Sequence, residues 1–129
     1  MGGRGASSRG ASRAPNGYRT VGRIGKNPVI RSNNKNSGGL PFKGKPNSRY
    51  YGTDRRGKIN QIRDYNKNGT PKRDYDWNHS FRENGKSYPK GTPHSHEWNK
   101  DDTRSRYHDV IPQEKFDKMF PHIKDKEFK

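Results

Sequence analysis

The sequence predicts an α+β fold: a small antiparallel β-meander packed by a C-terminal helix, with a disordered basic arm in front. Three observations predict it. Short runs rich in aromatic and β-branched residues, "SRYYGT", "KINQIRDYN" and "PKRDYDWN", follow one another with turn signals between them. Near the end, Phe116, Met119 and Phe120 have the spacing of one apolar helix face. The opening is acid-free and rich in Gly, Ser, Asn and Arg, a composition that rarely packs.

Residues 1–39 are expected to form the arm and residues 40–129 the domain. From Met1 to Thr53 there are 11 Lys and Arg and no Asp or Glu, whereas Asp54 to Lys129 holds 18 basic and 13 acidic residues. The stretch "MGGRGASSRGASRAPNGYRTVGR" has too few apolar side chains to offset the entropy of ordering it. Its many glycines also spoil the amphipathic helix that a mitochondrial-type presequence needs. "NNKNSGGLPFKGKPNS" is turn and linker chemistry, with Leu40 and Phe42 as the first anchors of the folded unit.

The meander takes its turns from "DRRG" and "KNG", the second an Asn-Gly hairpin signal. "RDY" recurs at Arg63–Tyr65 and Arg73–Tyr75, a weak repeat of one strand unit. Alternation in the third run puts Tyr75 and Trp77 on a core face and Asp74, Asp76 and Asn78 on the other, where the carboxylates are solvated or line a site. Ile59 and Ile62 fall on opposite faces unless a bulge intervenes. Tyr50 and Tyr51 cannot both enter one sheet face. "HSFRENGKSYPK" offers turn formers and no helix, and "GTPHSHEW" reads as extended chain or loop. Pro112 suits the first helical position, and Pro121 stops the helix, which serves as a lid on the sheet.

With 22% hydrophobic residues the 129-residue chain can build at most one small core. A net charge of +16 favours polyanionic partners, with nucleic acid foremost. The candidate phosphate-binding residues are Arg4, Arg9, Arg13, Arg19 and Arg23 in the arm, and Arg49, Arg55, Arg56, Arg63, Arg73, Lys86 and Lys90 in the domain. Tyr51, like Tyr50, Tyr65 and Tyr75, can stack on an unpaired base or pack in the core. There is no cysteine, which excludes disulfides and zinc ribbons. No apolar run reaches the length of a signal-peptide core or a membrane span, so no membrane partner is expected.

Two stretches resemble known groups. The start "MGGRGASSRG" resembles the opening of small proteins encoded among bacteriophage head and packaging genes. The block from "KGKPNSRYY" through "DYNKNGTPKRDYDW" to "PHSHEW" resembles C-terminal toxin domains of bacterial polymorphic toxin systems, a group largely predicted to act on RNA. The resemblance implies a toxin-type nuclease fold whose activity would rest on His94, His96 and the acidic strand residues. It implies a nucleic-acid-binding phage accessory protein or an active ribonuclease, placed in the bacterial host cytoplasm or the virion, with capsid or portal proteins as further partners.

The pair in "PHSH" admits three readings. Residues two apart on extended chain point the same way, so His94 and His96 can converge on one ligand, with His79 or Asp76 as a third group. As an acid-base pair they would cleave RNA without any cofactor. With a carboxylate such as Asp76 or Glu97 they would hold a divalent metal. In the third reading they sit on a solvated turn where Trp98 packs and the imidazoles bond to backbone. His108 and His122 are given no role.

Overall fold

The computed structural model describes residues 17–33 and 39–129. Among these residues the fold is α+β, mostly strand with one α-helix near the C-terminus. The three expected strands are present as β3 (Arg49–Thr53), β4 (Ile59–Tyr65) and β5 (Pro71–Asp76), paired antiparallel in sequence order. Asp54 Oδ1 accepts the N–H groups of Arg56 and Lys58 to close the first turn. In the second, Gly69 adopts φ 82°, where a side chain is strained.

The bulge that β4 needs is there. Gly52 pairs with Gln61 but Thr53 pairs with Ile59, so Asn60 is an extra residue and both isoleucines reach the same core. Tyr75 and Trp77 enter that core as expected. It is closed by α1 (Gln113–Met119) and a 3-10 turn (Ile123–Asp125), which bring Phe116, Phe120 and Ile123 against the sheet. Phe116 meets Trp77 edge-on at 5.1 Å, and Phe120 meets Tyr75 in the same way at 5.1 Å. Pro112 takes the N-cap position, so the helix opens at Gln113, one residue later than the sequence suggests.

Among the described residues the sheet is wider than the meander, with seven strands in the order β1 (Tyr18–Ile24), β2 (Asn27–Ser32), β3, β4, β5, β8 (His94–Glu97) and β9 (Asp109–Val110). The boundary drawn at residue 39 is corrected on this point. β1 (Tyr18–Ile24) and β2 (Asn27–Ser32) form a hairpin, and β2 runs parallel to β3. Val29 and Ile30, at 0% and 6% exposure, supply the burial that a composition averaged over residues 1–39 conceals. Residues 1–16 and 34–38 of the expected arm lie outside the described residues.

On the far side of β5 the sheet continues with β8 (His94–Glu97) and β9 (Asp109–Val110), both antiparallel. A separate hairpin of β6 (Phe81–Glu83) and β7 (Lys86–Tyr88) fills the chain between β5 and β8. Among the described residues no helix is long and apolar enough to cross a membrane.

The second face of the sheet is covered too, by Leu40, Pro41, Phe42 and Trp98. Here Arg63, which is 1% exposed, forms a two-point ion pair with Asp74 at 2.6 and 3.0 Å. Its remaining nitrogen donates to the carbonyls of Leu40 and Pro41, and its guanidinium lies 5.0 Å from the Trp98 ring centre. Asp74 is therefore an interior partner and not a wet-face carboxylate.

Candidate functional site

Pro93 precedes β8 and offers its carbonyl to the Ile111 N–H, fixing where the strand begins. Pairing with β5 sets His94 opposite Asp76 and His96 opposite Asp74, while Ser95 faces Tyr75 on the core side. The two histidines thus share a face, as extended backbone requires. β9 pairs with His94 and Ser95, which brings His108, the residue just before β9, to the same place. The β6–β7 hairpin supplies the wall: the Phe81 ring stacks on His108 at 4.4 Å and lies 4.2 Å from His94. His79, at the start of that excursion, sits 5.0 Å from His94.

Each buried imidazole is oriented through its Nδ1. His94 Nδ1 donates to the Thr92 carbonyl at 3.0 Å, and His96 Nδ1 to the Ser105 carbonyl at 2.9 Å. A carbonyl only accepts, so both rings carry the proton on Nδ1 and leave Nε2 as a lone pair. Those Nε2 atoms are buried and have no hydrogen-bond partner among the described residues; Asp76 Oδ1 stands 3.9 Å from that of His94. His108 follows the same pattern, its Nδ1 donating to Glu83 Oε1 at 3.0 Å while its backbone N–H reaches the same oxygen at 2.8 Å. Backbone bonding, the expectation of the solvated-turn reading, is met at Nδ1, but the residues are interior: His94 is 0% and His96 3% exposed.

Charge divides the cluster into two parts. Burial lowers the pKa of His94, and burial with the neighbouring Arg104, His108 and His94 lowers that of His96 to about 4. Both stay neutral. His79 moves the other way, raised by its hydrogen bond to Asp76, and its second nitrogen faces the Ser80 carbonyl. Burial pushes Asp76 up, but hydrogen bonds from His79 and the Asn78 backbone outweigh it and hold the carboxyl at about 2. The exposed His79 and the half-buried Asp76 carboxylate to which it is bonded therefore border the buried His94 and His96.

Of the expected site residues, the fold brings His94, His96, His79 and Asp76 together. Glu97 is on the opposite face, bonded to Arg73. His108, Glu83 and Arg104 were not legible, because they arrive through pairings between segments distant in sequence; Glu83 and His108 are 25 residues apart. The burial of His94 and His96 also removes them as groups that touch a polynucleotide directly, since a proton-transfer pair must reach its substrate.

The expected phosphate contacts divide similarly. Arg19, Arg23, Arg55, Arg56, Lys86 and Lys90 are exposed. Arg63 and Tyr51 are corrected: both are interior, the first held by Asp74 and the second packed in the main core. Arg49 is tied to Asp64 at 2.6 Å and lies over the Phe120 ring, and Arg73 is tied to Glu97. Tyr50 turns to the second face and packs on Tyr65 at 4.8 Å. Arg4, Arg9 and Arg13 lie outside the described residues. In comparison with protein-family models, curated proteins and solved structures, nothing matches the chain.

Proposed function

We propose that the chain binds nucleic acid and cleaves it, with RNA as the substrate and with His79 and Asp76, at the accessible edge of the histidine cluster, as the reaction centre. The observation that carries this reading is the gathering of His79, His94, His96, His108 and Asp76 at one end of the sheet, in a chain of charge +16. Cleaving a phosphodiester requires a group that accepts the nucleophile's proton, one that protonates the leaving oxygen, and cations for the phosphate. His79, exposed and raised in pKa by its hydrogen bond to Asp76, suits the group that protonates the leaving oxygen, and the Asp76 carboxylate beside it is the group that takes the nucleophile's proton. Arg104, 3.3 Å from Asp74 and close enough to His79 and His96 to disfavour their protonation, is a cation at the site. The choice of RNA follows the resemblance to toxin domains, and with it the 2′-hydroxyl as nucleophile.

A second reading, a nucleic-acid-binding phage accessory protein without catalysis, is favoured by the exposed Arg19, Arg23, Arg55 and Arg56 and by the burial of His94 and His96. Incubating the purified full chain with RNA and DNA, with and without divalent cations and from acid to alkaline pH, separates the two. The nuclease reading expects RNA cleavage, lost in a folded His79→Ala variant. Intact nucleic acid with salt-dependent binding leaves the accessory reading, and absence of both sinks the two together.

A further inference from the structure

We propose that His94, His96 and His108 bind one first-row divalent cation, Zn2+ in the first instance, through their Nε2 atoms. The site goes beyond the nuclease reading and stands whether or not the chain cleaves nucleic acid. One ring nitrogen from each of the three lies within 4.8 Å of the other two. In all three rings Nδ1 already donates, to the Thr92 carbonyl, the Ser105 carbonyl and the Glu83 carboxylate, so Nε2 is the nitrogen left to bind. Metal-bound histidines are oriented in this way, with the second nitrogen fixed by a carbonyl or carboxylate.

Burial supplies the independent argument. His94 and His96 are 0% and 3% exposed, and their Nε2 lone pairs have no donor among the described residues. An interior acceptor without a donor is costly, and a cation shared by the lone pairs removes that cost. With Zn–N bonds of about 2.0–2.1 Å, tetrahedral ligand nitrogens lie roughly 3.3 Å apart, so the rings close on the ion by roughly an ångström or less each. Phe81, stacked on His108 and tilted on His94, holds the rings and walls the site from solvent.

The donor set selects the ion. Neutral imidazoles suit zinc, copper, nickel and cobalt, while magnesium and calcium want oxygen. Three protein ligands leave a fourth position, and Asp76 Oδ1, 3.9 Å from His94 Nε2, lies beside it, close enough to ligate or to hold a bound water. Asp76, His79 and His94 form a competing trio that needs the same His94. It is the weaker candidate, because Asp76 and His79 are already bonded to each other at 3.3 Å.

The test uses the full chain made without a polyhistidine tag, stripped with chelator, then titrated with Zn2+ by calorimetry and with Co2+ by visible absorption. Wild type is expected to bind one equivalent, with the ligand-field bands of four-coordinate Co2+. His108→Ala should weaken binding at least about tenfold, and Glu83→Gln, which leaves all three ligands in place, about 10–100-fold. His122→Ala, exposed and remote, should bind as wild type. Circular dichroism confirms that each variant is folded, and Glu83→Gln serves if a histidine variant is not. Binding well below one equivalent, or wild-type affinity in folded His108→Ala and Glu83→Gln, overturns the site. So does loss of binding in His79→Ala with His108→Ala unaffected, which assigns the ion to the competing trio. One equivalent of zinc bound by a protein that leaves RNA intact removes the nuclease reading and keeps the metal site.

Discussion

Arg63 is where a surface contact and an interior anchor predict opposite results. Truncation by Arg63→Ala removes a guanidinium that holds Asp74 at 2.6 and 3.0 Å and donates to the Leu40 and Pro41 carbonyls. Among the described residues the Asp74 side chain, 6% exposed, would keep only Arg104 at 3.3 Å. Removing one partner of a buried ion pair costs about 3–5 kcal/mol, because the other charge stays buried without compensation. With a urea m-value on the order of 1.5 kcal/mol/M, the unfolding midpoint should fall by about 2–3 M. Arg63→Lys should give an intermediate loss, since an ammonium cannot make the two-point contact. The double variant Arg63→Met/Asp74→Leu should recover most of the stability, because burying neither charge avoids the desolvation cost. The measurement is urea denaturation followed by tryptophan fluorescence, with RNA binding measured alongside. An Arg63→Ala midpoint close to wild type, accompanied by weaker RNA binding, would refute the interior assignment and restore Arg63 as a phosphate contact.

Three further outcomes follow from the same geometry. Arg55 and Arg56 are exposed on the β3–β4 turn with no carboxylate partner among the described residues, so Arg55→Ala/Arg56→Ala should lower RNA affinity without a change in unfolding midpoint. The slope of log affinity against log salt should fall by about one for each phosphate that is no longer neutralised, and an unchanged slope rules these residues out. In chelator, the metal-free protein should lose stability on acidification from about pH 6.5 towards 4: the unfolded chain takes up a proton at the ordinary imidazole pKa, while His96, facing Arg104, His108 and His94, resists until about 4. The loss from this group is on the order of 3 kcal/mol, and a flat melting temperature across that window contradicts it. Gly57 has φ 90°, and a Cβ there would stand 2.3 Å from the Phe128 carbonyl oxygen, so Gly57→Ala should lower the melting temperature and release the C-terminal segment to protease. Unchanged melting and proteolysis would show that this contact does not hold the segment.

The meander, its turns and its helix were legible because each depends on neighbours in the chain. Alternation set Tyr75 and Trp77 inward, and the spacing of Phe116 and Phe120 set one helix face. The bulge at Asn60 was foreseen only as a condition, since alternation detects a misfit between Ile59 and Ile62 without saying how it is relieved. The hairpin at residues 18–32 was missed because its two buried residues, Val29 and Ile30, are diluted by polar neighbours, and its pairing partner β3 lies beyond the linker.

By itself the sequence determined the α+β class and the large positive charge, and it put His94 and His96 on one side on condition that "PHSH" is extended. Only the tertiary structure decided that this side is covered, that Arg63 faces Asp74 rather than solvent, and that His108 and Glu83 complete the cluster. The physical reason is range. Periodicity and turn chemistry act over a few residues and can be read along the chain, whereas burial and the meeting of side chains 11 or 25 residues apart depend on how strands pair and which loops close over them.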